Sequence, residues 1–406
     1  MAPHCRALTE LSRCLKSRYV VTICLFGCFL VYTGHKLDVI TVVVRNESAG
    51  LLTREVLSSL NASLSTAKAK HQSLQACVRS GGTLENQPCC EHGQFALQGM
   101  HVCRKWLNCQ ELSELEVEKF GQPRRGYKKI YLTTFKEHKI VLMQLPVDEN
   151  KVTFKQALAN YQWLQPNPLV VQLIGVCEIT QEFAVEYYEL GDARNAEQHI
   201  QSLSQEQADE RQLLLCMDYA AINLMLHEKG RCNPDQNTLV KTLSQYLLSD
   251  DMRLLLSDMD ILSEIGVEPT LLNNTHDAHL IAPEHDVVAS LSCKSSTNSS
   301  CVKALAARQV KLDVWKIPAV CDRMLPRNSN LMRRLADIHA KCKIVDPIQR
   351  MSMEDVLLGY SRVFISMYGE QQFLQKTQRY KGILAYDRIE IEINTHHRIV
   401  DDIRSV

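Results

Sequence analysis

"KTLSQYLLSDDMRLLLSDMD", residues 241–260, decides how the chain is read. Leu254, Leu255 and Leu256 form a short apolar run, as a buried strand does, and two residues later the chain reaches acids, Asp258-Met259-Asp260. One reading is a strand running out into a solvated turn. The other is a carboxylate fixed by a core strand and presented to a metal ion. Upstream, "ERQLLLCMDYAAINLMLHEKG" (210–230) reads as a long helix. Asp235 then stands in the polar loop of "RCNPDQNTLVKTLSQYLL", between that helix and an apolar strand. The strand pair delivers Asp258.

Working outward, "KKIYLTTFKEHKIVLMQL" (128–145) predicts a hairpin. Ile130 and Leu132 share a face of the first strand, and Ile140 and Leu142 a face of the second, with a polar tip at Lys136-Glu137-His138. Val141, Met143 and Leu145 make the second strand apolar on both faces. "FKQALANYQWL" (154–164) predicts a helix; "LVVQLIGVCEI" and "EFAVEYYEL" (182–190) predict two more strands, and "GDARN" a loop. Beyond the long helix the pattern is mainly helices and loops. Several strands with one helix among them, then a helical half, is an α+β two-lobed arrangement.

The chain has 406 residues, 45% hydrophobic and 23% charged, with zero formal net charge. No basic stripe interleaved with aromatics occurs, so nucleic acid is not an expected partner. The apolar segment "YVVTICLFGCFLVY", Tyr19 to Tyr32, follows Arg6, Arg13, Lys16 and Arg18. That charge bias predicts a single span with a cytosolic N-terminus and a lumenal body; a cleaved signal peptide is the competing reading. Sequons begin at Asn46, Asn61, Asn273 and Asn298, and of 16 cysteines twelve lie beyond the apolar segment, both in keeping with a lumen. Residues 45–76 carry an a/d seam (Leu57, Leu60, Leu64, Ala67, His71, Leu74) and predict a helical stalk. Cys77, Cys89, Cys90, Cys103 and Cys109 predict a disulfide-stapled cap; metal binding is the alternative, although the spacings match no zinc pattern well.

Helix, loop Asp, metal-binding amide, metal-binding Asp is the order of protein-kinase-like enzymes. One carboxylate orients and deprotonates the acceptor hydroxyl, and another holds divalent ions that offset charge on the phosphates. Further along come Ala282-Pro283-Glu284, Asp313-Val-Trp315 and Arg350, which is able to pair with Glu284 at a buried site. Asp313 is expected to brace the catalytic loop. The predicted organisation is a cytosolic tail (1–18), membrane anchor (19–34), stalk (45–76), cysteine-rich cap (77–112), protein-kinase-like domain (113–363) and C-terminal extension (364–406).

"WLNCQELSELEVEKF", "FKEHKIVLMQL", "QLIGVCE", "LCMDYAAINLMLHEKG", "VKTLSQYLL", "LLLSDMD", "APE" and "DVWKIP" together resemble the protein O-mannose kinase family, from about Cys89 to about Val363. The resemblance implies a single-pass endoplasmic reticulum enzyme. It would transfer the ATP γ-phosphate to the 6-hydroxyl of mannose in an O-linked GalNAc–GlcNAc–mannose trisaccharide on α-dystroglycan. By position it implies Asp235 as the catalytic base, with Asp258 and Gln245 on Mg2+ or Mn2+ and Asp260 as the acid that follows. Met143 stands where other kinases have their phosphate lysine; Lys128, one strand earlier, takes that role, with Gln144 also beside the nucleotide. Two stretches depart from the family. The Gly-acid-Gly phosphate turn becomes "GQPRRGYKK", in which Pro123 removes an amide donor. The segment before Asp235 is shortened to Asn233-Pro234. The retained acids favour an enzyme, and the altered turn favours a catalytically silent protein that binds glycan or partner proteins.

Overall fold

The computed structural model describes residues 90–119, 128–145, 151–234, 236, 238–267, 277–284, 299–324, 330–390 and 393. The expected anchor and stalk, the four sequon asparagines, Cys77, Cys89, the turn at 121–127 and Asp235 lie outside them. Among the described residues no helix is long and apolar enough to cross a membrane.

β1 (Gln94–Phe95) and β2 (Arg104–Lys105) pair antiparallel, beside the Cys90–Cys103 disulfide. Helix α1 (Cys109–Ser113) starts at Asn108, whose side chain accepts from the backbone N–H groups of Gln110 and Glu111. An antiparallel sheet follows: β3 (Val117–Lys119), β4 (Lys129–Phe135), β5 (His138–Gln144), β6 (Leu173–Cys177) and β7 (Glu182–Glu186), in the spatial order β3-β4-β5-β7-β6. The β4–β5 hairpin turns on two residues, Lys136 and Glu137, both at positive φ, which matches the right-handed twist of the strands.

The two faces of this sheet have different jobs. Thr133, Ile140, Leu142, Ile174 and Ala184 are buried together with Phe95, Leu97 and Leu107 of the cysteine-rich segment. On β4 the buried residue is therefore Thr133, while Ile130 stays 39% exposed on the opposite face. Helix α2 (Lys151–Leu164) packs on that opposite face, where Phe154 stacks on Phe183 at 4.5 Å between ring centres.

At the β6 edge the cysteine-rich segment joins the sheet. Leu107 donates to Ile174 O at 2.8 Å and accepts from Val176 N at 3.0 Å. Two residues on, Cys109 is bonded to Cys177. The Cys109 disulfide thus leaves the cap and clamps it to the sheet, a partner that spacing alone does not reveal. Gly175 makes this approach possible, because a Cβ there would lie 2.7 Å from Leu107 Cβ and 3.0 Å from Leu107 O. Gly175→Ala is expected to cost about 1–3 kcal/mol, the scale of overpacking against atoms that cannot rotate away. Thermal unfolding of the oxidised protein measures it; an unchanged midpoint would mean the segment shifts freely.

The predicted strand at 182–190 ends at Glu186, and the chain then crosses to the helical half. Helices α3 (Ala196–Ile200) and α4 (Gln205–Glu228) come first. Ser204 and Gln207 form a capping box, which explains why α4 starts five residues before the apolar pattern does. Every residue from Gln212 to Leu226 is buried, as in a helix surrounded by other elements. Next come β8 (Arg231–Cys232), α5 (Leu239–Ser244), β9 (Tyr246–Leu248), β10 (Leu254–Leu256) and β11 (Ser263–Glu264). Helices α6 (Ser299–Met324) and α8 (Met353–Tyr368) pack against α4, α7 (Asn330–Cys342) packs on those two and α9 (Glu370–Lys376) on α8, and a Cys216–Cys321 disulfide joins α4 to α6. Arg350 is buried and grips Glu284 with both terminal nitrogens, at 2.5 and 3.0 Å, as its sequence position suggests.

Candidate active site

The opening stretch folds as α5, β9 and β10. The polar loop after β8 is thus followed by a short helix, capped by Thr238, before the apolar strand begins. β9 and β10 pair antiparallel with Leu254 opposite Leu248 and Leu256 opposite Tyr246. β10 also bonds the chain entering β6: Leu256 donates to Leu169 O at 2.9 Å and Val171 donates to Leu256 O at 3.0 Å. All three leucines of β10 are buried. The acids therefore leave a strand wedged between the two halves of the protein.

Met259 and Leu262 are also buried, so they anchor the segment while the flanking Asp258 and Asp260 face an opening. Their side chains remain 17% and 12% exposed. Lys128, the residue before β4, reaches across from the sheet side. Its ammonium donates to Asp258 Oδ1 at 2.5 Å and Asp260 Oδ1 at 2.9 Å. Burial alone would raise the Asp258 carboxyl, but the Lys128 charge outweighs it and holds Asp258 below the usual carboxylate range. Asp260 is pushed up, first by burial and then by the Asp258 charge, against the pull of Lys128. Lys128 is held above its ordinary value because the two acids overcome its own desolvation.

Gln245 and Gln144 are the other expected site residues. Gln245 adjoins the acid segment through its backbone, since Ser257 N donates to Gln245 O at 3.0 Å. Its side chain is fully buried and its Oε1 accepts from Asn233 at 2.8 Å. Gln144 sits opposite Glu182 in the ladder and donates to Glu182 Oε1 at 3.2 Å. By strand alternation it shares its face with Leu142 and Ile140, which pack under the cysteine-rich segment. The structure brings Lys128, Asp258 and Asp260 together, and Gln144 pairs in the ladder with Lys129, the residue after Lys128. Asp313 is buried between His227 Nε2, 2.9 Å away, and Lys316 Nζ, 3.1 Å away.

Lys241, the first residue of the opening stretch, joins the site without having been expected there. Its ammonium lies 3.7 Å from Asp258 Oδ2, from the side of the helical half. A second omission is the face of α2 that meets the acid segment. Asn160 donates to Met259 O at 2.8 Å and to Leu262 O at 3.3 Å; Gln156 donates to Leu262 O at 2.6 Å. The signal was visible as Gln156 and Asn160, two amides four residues apart and so on one face of the helix. Finally, β8 pairs with β11, so the chain three residues before Asp235 runs beside the chain that leaves the acid segment.

The curated protein O-mannose kinase of Gallus gallus is 32% identical over 307 residues, covering 72% of this chain and 84% of that protein. The chain belongs to the protein O-mannose kinase family. The Homo sapiens protein O-mannose kinase is also 32% identical, over 298 residues (68% of this chain, 80% of that protein). That of Xenopus laevis is 28% identical over 296 residues (69% and 82%). No protein-family model matches the chain. As a protein O-mannose kinase family member it is a kinase, and its mixed chain of a sheet lobe and a helical lobe fits the kinase-like fold. Kinases use ATP and a divalent ion, and the residues present fit such an ion. Two carboxylates flank a buried methionine at one opening, and magnesium is commonly bound by one or two carboxylates together with substrate phosphates. The Lys128 ammonium between them shows that the pair accommodates positive charge.

Proposed function

We propose that the protein is a lumenal glycan kinase. It transfers the ATP γ-phosphate to the 6-hydroxyl of mannose in an O-linked GalNAc–GlcNAc–mannose trisaccharide on an α-dystroglycan-like glycoprotein, from the endoplasmic reticulum membrane, to which a single N-terminal span tethers it. The observation that carries this reading is the junction of Lys128 with Asp258 and Asp260, made across the two halves of a chain of this family.

In this reading Asp258, kept deprotonated, is the ion ligand, and Asp260 adds a second carboxylate. A divalent ion bound there offsets the charge of the phosphates. Lys128 from the sheet and Lys241 from the helical half approach Asp258 from two sides, and both ammonium groups are placed to meet phosphate oxygens. Asp235 takes the proton of the mannose 6-hydroxyl as its oxygen attacks the γ-phosphorus and ADP leaves. Gln245 is a further ion ligand once its amide leaves Asn233, and Gln144 lines the nucleotide end of β5.

The test is to measure nucleotide binding with and without Mg2+ or Mn2+, and then the mass of an O-mannosyl trisaccharide incubated with enzyme and ATP. A gain of one phosphate on the mannose is expected. Lys128→Met should lower kcat/KM by about 10²-fold, chiefly through nucleotide affinity. Wild-type protein that binds nucleotide and leaves the glycan unmodified would instead support the silent binding protein, the reading that the altered "GQPRRGYKK" turn favours.

A further inference from the structure

Helix α2 occupies the place from which other kinases pair a helix Glu with a strand Lys, an ion pair that must form before catalysis. Here that pair cannot form. The helix, "KVTFKQALANYQWL", holds no acid, and Met143 stands on β5 where the lysine would be. The helix nevertheless touches the acid segment, through neutral donors. Asn160 Nδ2 spans Met259 O and Leu262 O, Gln156 donates to Leu262 O, and the Tyr161 hydroxyl lies 3.4 Å from Ser257 O. Every acid on the segment lies between these bonds.

Asn160 is the centre of the arrangement. It is 2% exposed, and burying an amide is costly unless its polar atoms are bonded. Its oxygen accepts from Arg231 Nε at 3.2 Å, and Arg231 stands on β8, four residues before Asp235. One amide thus bonds the backbone between Asp258 and Asp260 and the strand that leads to Asp235.

We infer that Asn160 is a positioning residue which, with Gln156, replaces the missing Lys–Glu pair: it couples the seating of α2 to the placement of Asp258 and Asp260. Without it, Met259 O loses its donor in a dry environment, and the cheapest relief is movement of the segment that carries both acids. The inference rests on Asp258 as ion ligand. Residues that orient ligands in this way typically change metal affinity or activity by about 10–100-fold when removed.

The experiment compares wild type with Asn160→Asp, Asn160→Ala and Gln156→Ala. Asn160→Asp keeps the shape and the acceptor for Arg231 while removing both donors. Gln156 is exposed, so its loss does not threaten folding, and Gln156→Ala decides the matter if the Asn160 variants fail to fold. Two readouts are taken: the Mg2+ concentration needed for half-maximal ATP binding, and backbone hydrogen exchange over 258–264 in metal-free protein. Both Asn160 variants should raise the Mg2+ requirement by about 10–100-fold and speed exchange locally, with Gln156→Ala moving both in the same direction by less. A merely structural role would lower the thermal midpoint and leave the Mg2+ requirement unchanged; that result, or wild-type values in Gln156→Ala when it is the only variant that folds, overturns the inference. Wild-type protein whose ATP binding ignores Mg2+ would instead overturn Asp258 as ligand.

Discussion

Asp258→Asn is expected to lose Mg2+-dependent nucleotide binding and to transfer phosphate at least about 10³-fold more slowly than wild type, the scale of removing a group that supports transition-state charge. The substitution preserves shape. Leu254–Leu256 stay buried, Met259 still anchors the segment, and Lys128 keeps Asp260 as partner. What disappears is the negative charge that two lysines face. A thermal midpoint close to wild type, beside lost binding, separates this from unfolding. Asp235→Asn should behave differently: nucleotide binding persists and the transfer step slows, because that residue acts on the acceptor hydroxyl. Full activity in Asp258→Asn would return the residue to the solvated end of a strand.

The largest effect on stability is expected from Arg253→Met. Asp218 is wholly buried in α4 and accepts from Arg253 Nε at 2.8 Å, Arg253 Nη2 at 2.7 Å, Leu254 N at 2.9 Å and the Tyr380 hydroxyl at 2.7 Å. Burial raises this carboxyl, and Arg253 and then Arg379 overcome it, leaving Asp218 below the usual range. Its contribution is therefore present at neutral pH and is lost only as pH falls below the unfolded carboxyl value of about 4. Removing Arg253 leaves the acid without its main counter-charge, at a cost of about 3–5 kcal/mol. Thermal unfolding should show a drop on the order of 10 °C. Adding Asp218→Leu should recover only part of it: the unpaired acid is gone, but Leu254 N and the Tyr380 hydroxyl lose their acceptor and Arg379 its counter-charge. A single variant as stable as wild type would show that Arg379 suffices.

Local pattern made much of this molecule legible. The hairpin at 128–145, the helix at 154–164 and the strand pair carrying Asp258 follow from periodicity and short turns, because the apolar pattern of each is set by its own residues. The Arg350–Glu284 pair was legible from motif order. The misses share a different cause. Cys109 found Cys177 because Gly175 lets Leu107 approach the sheet edge, a fact about close contact rather than spacing. Asn160 looked like an ordinary polar residue of a helix, since its importance lies in carbonyls about one hundred residues away. Long-range partners of backbone groups leave almost no trace in composition.

The C-terminal extension bears on how the chain is made. Arg253 donates to Lys376 O at 2.7 Å and to the Tyr380 hydroxyl at 2.9 Å, and Arg379 donates to Leu254 O at 2.9 Å and Pro168 O at 2.7 Å. The strand that presents Asp258 is thus fastened by residues that leave the ribosome more than one hundred positions after it. During synthesis every residue of the acid segment exists before its fastening does. A premature stop codon between Tyr368 and Lys376 would spare each residue named in the active site and still remove the carbonyl, guanidinium and hydroxyl that brace β10 from the C-terminal side, so a coding change that reads as a harmless shortening is expected to loosen the acid segment.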